Sequence, residues 1–258
     1  MRTTCIMNLK GGTGKTVTAI NMAAILARDY AMKVLLVDAD SQANLTEFVS
    51  RSLPDGVSIG GFADLLTGLE AFAYPTKIEN VRLLPADETL MGLDISAAGS
   101  GKADPMALRD WLGKSRDGWD WVIVDCPPAF NAAAAAALVA ADDVVIPLKL
   151  DAFGVRGLAN IVEQIRNMRR LNPDLEIAGV LPTMFYPCEQ QRKVEDDLLA
   201  ALTKIAVRKF HHINRSPKVD EMTFAQAPII DTSPRSKPAR DYRLFVKCMV
   251  HAAEGGEA

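Results

Sequence analysis

Paired cysteines are missing from this sequence. Cys5, Cys126, Cys188 and Cys248 show no Cys-x-x-Cys spacing, so neither a disulfide frame nor a zinc site is expected, and they read as reduced thiols of a cytosolic protein. Histidine is scarce: His211-His212 has no third ligand nearby and reads as packing or solvated side chains, not a metal centre. No apolar run approaches the ~20 residues needed to cross a bilayer. A leading apolar segment of the export type is also missing, because a glycine-rich loop starts within ten residues of Met1. Excess charge of one sign is lacking. The formal net charge of −3 excludes a uniformly basic, histone-like chain and leaves room for a local basic face. What remains is 258 residues, 49% of them apolar, enough for one large α/β domain or two small ones.

The stretch Leu9-Lys10-Gly11-Gly12-Thr13-Gly14-Lys15-Thr16 organises everything else. It lies between the apolar segment Thr4-Cys5-Ile6-Met7 and the helix-like run Val17 to Leu26, which is the strand, turn and helix context of a phosphate-binding loop. Glycines free backbone N–H groups to converge on phosphate oxygens, and the following helix aims its positive dipole end at the same point. Lys15 reaches the terminal phosphates in such a loop, and the Thr16 hydroxyl is placed to ligate Mg²⁺. The common pattern carries glycine where Leu9 stands and does not require Lys10.

Two apolar runs end in acids. Lys33 to Val37 leads to Asp38 and Asp40, and Trp121 to Val124 leads to Asp125-Cys126-Pro127-Pro128. Open parallel sheets hold ligands at strand carboxyl ends, so these acids belong beside the glycine loop. On a continuing strand Asp38 and Asp40 would share a face; loop solvation or helix capping is the plainer alternative. Asp125 sits where a Walker B acid holds Mg²⁺, and the two prolines turn the chain out of the sheet. Further strands are expected at Val81 to Pro85, Asp143 to Leu148 and Ile177 to Thr183. Helices are expected at Phe62 to Leu66, Pro105 to Lys114 and Asn131 to Leu138. Gly154 to Leu171 is a further helix, with apolar Val155, Leu158, Ile161, Val162, Ile165 and Met168 at helical spacing. Glu189 to Ala206 and Lys237 to Ala253 complete the set, while Ser52 to Thr76 and Ser96 to Asp104 read as irregular, glycine-containing connections. Alternating strands and helices predict a single α/β domain over residues 1–258: a doubly wound, mostly parallel sheet with helices on both faces and a loose C-terminal end.

With Lys10 to Thr16, Val37-Asp38-Ala39-Asp40-Ser41-Gln42-Ala43-Asn44 and Val124 to Pro128 in this order, the sequence resembles the ParA/MinD family of deviant-Walker ATPases, from Met1 to about Cys248. Within that family it is similar to short, Soj-like ParA partition ATPases, including the tail segments Ile213-Asn214-Arg215, Phe224 to Pro228 and Ser233 to Ser236. Longer ParA proteins carry a helix-turn-helix region before the loop; with the loop starting within ten residues of Met1, none is expected here. The resemblance implies ATP and Mg²⁺ as cofactors and slow, partner-stimulated hydrolysis. It implies a homodimer with ATP buried between two subunits, where Lys10 reaches the other subunit's phosphates. It places Lys10, Gly11, Gly12, Thr13, Gly14, Lys15, Thr16 and Val17 around the nucleotide. Asp40 would orient the attacking water, with Asp38 its neighbour in the switch, and Thr16, Asp40 and Asp125 would lie on the metal side. Thr183-Met184 and Asn214-Arg215 would hold adenine, although family members often have Pro-Arg where this chain has Asn214-Arg215.

The same resemblance implies sequence-independent DNA binding, a ParB-like centromere-binding partner and a cytoplasmic, nucleoid-associated location. Phosphate contacts need lysine and arginine on one face. The candidates are Arg208, Arg235, Lys237, Arg240 and Arg243, with Lys247 and the Arg166, Arg169, Arg170 group behind them. Arg240, Arg243 and Lys247 recur at three and four residues; a solvated helix face is the alternative reading. A MinD-like membrane cycle would need a basic amphipathic C-terminal helix, and the ending Ala253-Glu254-Gly255-Gly256-Glu257-Ala258 is acidic and glycine-containing, so no membrane contact is expected. An iron–sulfur relative would need a second cysteine near Cys126. A ParA-like ATPase that positions a conjugation or other protein complex, and a binding module without turnover, stay open on sequence alone.

Overall fold

The computed structural model describes residues 1–51, 53, 59–97, 103–114 and 118–255. Its centre is a seven-stranded sheet in the order β3-β4-β2-β5-β1-β6-β7. The strands are β1 (Arg2–Ile6), β2 (Val34–Asp38), β3 (Tyr74–Pro75), β4 (Val81–Leu84), β5 (Trp121–Asp125), β6 (Asp143–Lys149) and β7 (Glu176–Thr183). All neighbours run parallel except β3, a two-residue edge piece antiparallel to β4. Strands β2 and β5 are buried at every residue, as parallel strands covered on both faces must be. β3 contains Pro75, which cannot donate to a ladder and is tolerated at an edge.

One face is covered by α1 (Lys15–Asp29), α2 (Asn44–Val49), α9 (Pro217–Ala225), α10 (Ile229–Thr232) and α11 (Lys237–Ala253), which share an apolar cluster with Ile6, Leu36 and Ile123. The opposite face carries α3 (Phe62–Leu66), α4 (Thr89–Ala97), α5 (Ala107–Lys114), α6 (Ala132–Ala140), α7 (Ala152–Met168) and α8 (Glu189–Lys204) over Cys5, Leu35 and Val124. The alanine run in α6 lets that helix lie close to the sheet: Ala133, Ala134, Ala136 and Ala137 are all buried, and Asn131 caps the helix by accepting from Ala134 N at 2.9 Å. The doubly wound sheet expected from the sequence is the observed one. Three helices, α4, α9 and α10, are additions that the sequence pattern does not announce.

In α7 the residues Leu158, Ile161, Val162, Ile165 and Met168 are buried, as their spacing predicts; Val155 has a side chain outside those described. The irregular stretches expected at 52–76 and 96–104, and the loose C-terminal end at 256–258, lie partly or wholly outside the described residues. Among the described residues no helix is long and apolar enough to cross a membrane.

Candidate active site

Every strand that bears on the site delivers its residues from its carboxyl end, so the glycine loop, the two acidic loops and the ends of β6 and β7 meet on one edge of the sheet. The loop leaves β1 past Asn8, whose Nδ2 donates to Pro147 O at 2.6 Å and whose Oδ1 accepts from Lys10 N at 3.0 Å. Gly12 and Gly14 take φ of +69° and +84°, a region where any Cβ costs on the order of 1 kcal/mol or more. Gly14 is also the residue before α1, so its left-handed turn aims the first N–H groups of that helix into the loop; the first helical turn carries no acid to compete for them. Thr183 at the end of β7 donates its hydroxyl to Thr13 O at 2.8 Å and fixes the loop from the far side. Lys15 is buried at the head of α1.

The register of β2 on β5 places Asp38 directly opposite Asp125. Asp38 ends its strand. Its Oδ2 accepts from Thr46 N at 2.8 Å and Thr46 Oγ1 at 2.7 Å, and its Oδ1 accepts from Asp40 N at 3.2 Å. Those bonds turn the chain, so the shared face expected of Asp38 and Asp40 on a continuing strand does not form. Asp40 instead sits half-buried in the turn and accepts from Gln42 N at 3.1 Å, while Asp38 braces the loop. Both paired acids titrate above the ordinary carboxyl range. Burial, then the Asp38 charge, pushes Asp125 up to about 8 against a hydrogen bond from Thr16 and the Lys15 charge. Burial pushes Asp38 up to about 6 despite its Thr46 and Asp40 hydrogen bonds.

Asp125 Oδ1 is buried with no hydrogen-bond partner. An orphaned carboxylate oxygen beside the Thr16 hydroxyl and Lys15 suits Mg²⁺, which takes one or two protein oxygens and fills its other positions with water and phosphate. Among the described residues no cluster of three or more metal-binding side chains occurs. The raised values also set a direction for stability. Between the ordinary carboxyl value of 3.8 and about 8, the folded chain holds a proton that the unfolded chain has released, so stability falls as pH rises through that window. In metal-free, nucleotide-free protein, Asp125→Asn is expected to flatten this decline. Its melting temperature should exceed the parent's at pH 8 by more than at pH 5, with ~2–4 °C for each kcal/mol recovered; calorimetry at the two pH values checks it.

A cavity of about 290 Å³ continues from the loop. Gly14, Val17, Thr183, Met184, Ile213, Asn214, Arg215, Val219 and Tyr242 line it, so all four residues expected at adenine fall on its wall. Met184 takes φ of +54°, an uncommon conformation for a side-chain-bearing residue and one that recurs at ligand sites. Larger clefts of about 640 and 830 Å³ open at the amino ends of the strands and contain no residue of the glycine loop. Tyr242 and the buried Asp241 are residues that sequence reasoning misses. The signal exists: Asp241 falls among Pro238, Ala239, Tyr242, Phe245 and Met249 on the buried face of α11, where an acid needs a purpose.

Lys10 does not line the cavity. Its Nζ lies 3.0 Å from both oxygens of Asp151, just past β6, and Lys149 Nζ lies 3.8 Å from the same carboxylate. The Lys10 side chain is 40% exposed, so the pair holds it with only ~0.2–1 kcal/mol. Among the basic candidates, Arg235, Lys237 and Arg240 are exposed around the start of α11. Arg243 instead donates to Asp29 at 2.8 Å and to Pro234 O at 3.2 Å, and the Arg208 guanidinium lies 5.9 Å over the Phe210 ring. Arg169 donates to Leu175 O before β7 and Arg166 to Ile205 O at the end of α8, so both hold neighbouring backbone. His212 stacks on Phe185 at 3.7 Å and meets Glu195 at 3.0 Å, a packing role.

Strand, left-handed glycine turn, buried lysine and paired acids on the carboxyl edge of a parallel sheet define a P-loop nucleotide-binding protein. A family model described as an AAA domain matches residues 1–177. The chromosome-partitioning ATPase Soj of Thermus thermophilus is 38% identical over 188 residues, covering 72% of this chain and 70% of that protein. The sporulation initiation inhibitor protein Soj of Bacillus subtilis is 31% identical over 250 residues, 94% and 95% of the two chains. The crystal structure of cobyrinic acid a,c-diamide synthase from Mycobacterium smegmatis with bound ADP and magnesium superposes with a TM-score of 0.81 at 28% identity, covering 100% of this chain and 97% of that one. The chain belongs to the ParA/MinD family of ATPases, with its similarity among the Soj/ParA chromosome-partitioning proteins. Binding of nucleotide and Mg²⁺ is a property of that family, and membership implies ATP hydrolysis.

Proposed function

We propose that this protein is a slow, ATP-dependent dimerising ATPase that binds DNA without sequence preference and drives plasmid or chromosome partition with a ParB-like partner protein. The observation that carries the reading is the second lysine of the loop. Lys15 is buried at the phosphate end of the cavity, whereas Lys10, five residues earlier, is half-buried at the surface and paired with Asp151 outside the cavity. A cation so placed is available to a phosphate outside its own subunit. Phosphoryl transfer is catalysed by positioning and by neutralising charge on the transferred group, so a lysine supplied by a second copy couples turnover to association.

The residues divide the work accordingly. The N–H groups of Gly11 to Thr16 and the Lys15 ammonium hold the phosphates. Thr16 and Asp125, with Asp40 nearby, would hold Mg²⁺, which when bound neutralises charge on the phosphate oxygens. Asp40, half-buried in the turn braced by Asp38, orients water. The test is molar mass by light scattering with ATP, ADP and no nucleotide. A doubling with ATP alone supports the reading, and a single mass in all three states contradicts it.

The DNA part of the proposal rests on Arg235, Lys237 and Arg240, which are exposed around the start of α11 and, unlike Arg243, form no ion pair with an acid among the described residues. Arg235→Ala with Arg240→Ala is expected to weaken binding to a random duplex equally for all sequences. The slope of log K against log salt should drop by about 1 for each arginine that meets a phosphate. ATP affinity should not change. Titrations at several salt concentrations check both halves of this expectation.

A further inference from the structure

The cleft of about 830 Å³ at the amino ends of the strands lies across the sheet from the glycine loop. Arg28, Lys33, Arg51, Lys77 and Arg82 line it against one acid, Glu79, and all five cations are exposed. Five against one leaves a local excess of four positive charges in a chain whose net charge is −3. Two of these cations are held in place without being neutralised. Lys77 Nζ donates to Gln226 Oε1 at 2.8 Å and to Phe48 O at 3.4 Å, and Arg82 Nη1 donates to Ala73 O at 3.1 Å. Lys33 and Arg51 form no side-chain hydrogen bond or ion pair among the described residues, where Arg28 alone is paired with an acid, Asp231. Neutral oxygens position a lysine or arginine and leave its charge to act on an anion. The turn that carries Lys77 is itself braced. The buried Thr76 accepts from Ile78 N at 3.0 Å, Lys77 N donates to Val49 O at 2.9 Å, and Asn80 O accepts from Val34 N at 2.9 Å. The cleft also adjoins the start of α11. Asp231, the partner of Arg28, belongs to α10, which leads through Pro234 to Arg235, and Arg243 ties Asp29, beside Arg28, to Pro234 O.

We propose that this cleft is a second contact surface for the phosphodiester backbone of duplex DNA, continuous with the start of α11. The duplex then rests on cations from the end of α1, the start of β2, the chain after α2 and the turn into β4, and not on one helix alone. The inference rests on the DNA reading above and adds a surface that lies off α11. A backbone fits better than a small phosphate ligand because the cations come from five separate positions around an open cleft, a spread that one phosphate group does not span. The position also suits a nucleotide-gated dimer. The cleft lies on the sheet edge away from the ATP site, so two copies that meet over their nucleotides leave it uncovered in both.

The experiment measures binding of the full chain, with ATP and Mg²⁺, to a fluorescent random-sequence duplex at several salt concentrations. Lys33→Ala, Arg51→Ala and Arg82→Ala are combined in one variant. A control of equal charge combines Arg192→Ala, Lys193→Ala and Lys204→Ala, exposed positions on α8 over the opposite face of the sheet. The cleft variant is expected to bind at least ~10-fold more weakly at ~0.1 M salt, and the slope of log K against log salt should fall by about 0.9 for each cation that meets a phosphate. The control should bind as the parent does. Both variants should keep the parent's ATP affinity and melt within a few degrees of it, because every replaced side chain is exposed. Exchange of the same three residues for the other cation, Lys33→Arg with Arg51→Lys and Arg82→Lys, should retain binding. A folded cleft variant with the parent's affinity and slope overturns the proposal and leaves the duplex on α11. Equal losses in the cleft and control variants also overturn it, because net charge alone would then account for them. A parent that binds no duplex with ATP overturns the DNA reading and the proposal together.

Discussion

Lys10→Ala is expected to lower ATP turnover by roughly 10³-fold or more while leaving nucleotide affinity within about threefold of the parent, the signature of a cation that acts on the transition state from a second subunit. In the single chain, Lys10 rests on Asp151 outside the cavity, whereas the groups that cradle phosphate, Lys15 and the glycine-loop amides, are unaffected by its removal. Binding within one subunit therefore has little to lose. The half-exposed Lys10–Asp151 pair contributes little, so the melting temperature of the variant should stay within a few degrees of the parent's. Mixing the variant with a chain carrying an intact Lys10 but a damaged Lys15 provides a stricter check. Such heterodimers should regain turnover at one of their two sites, and equal turnover by Lys10→Ala and parent alone would remove the lysine from catalysis.

Asp40→Ala is expected to reduce turnover by ~10²- to 10⁴-fold, the range for losing a group that positions or deprotonates the attacking water. Unlike the lysine variant it should keep every contact that brings two ATP-bound chains together, and so accumulate as an ATP-bound dimer. The distinction follows from position. Asp40 lies in the turn past β2, where its carboxylate accepts from Gln42 N, while Asp38 below it is committed to Thr46 and the chain turn. Asp38→Ala, by contrast, should loosen the fold, because it strips Thr46 and Asp40 of their buried acceptor. Burst kinetics with radiolabelled ATP, read beside molar mass, separate the two aspartates; parent-rate hydrolysis by Asp40→Ala would leave the water without its assigned residue.

Function is most legible in the sequence where it depends on local spacing. Gly12 and Gly14 must be glycine because of their φ values, Lys15 must follow them, and Asp125 must end an apolar strand, so each is visible within a few residues of chain. The order of strands and helices is legible for the same reason. Contacts made across the fold are not. Lys10 finds Asp151 at a separation of 141 residues, and Asn214 finds Asp241 across 27, through helices whose placement no local pattern dictates. The short α9 and α10 are anchored by Asn21, whose Oδ1 accepts from Ile229 N and whose Nδ2 reaches Met222 Sδ, and not by their own periodicity. Alternation carries the strand reading on to Asp40, two residues too far, because the hydrogen bonds of Asp38 end the strand first. Helical spacing alone puts Arg240 and Arg243 on one basic face, but Arg243 is diverted from it by Asp29, a partner 214 residues away.

The most direct test of an ATP-gated DNA-binding partition ATPase is binding to a random-sequence duplex with ATP, with ADP and with no nucleotide, each at two salt concentrations. Binding with ATP alone, falling steeply as salt rises, is the expected result, because phosphate contacts release counterions and only the ATP-bound dimer would present both copies of the basic face. Binding that ignores the nucleotide, or no binding in any state, would contradict it and leave an ATPase whose cargo is not DNA.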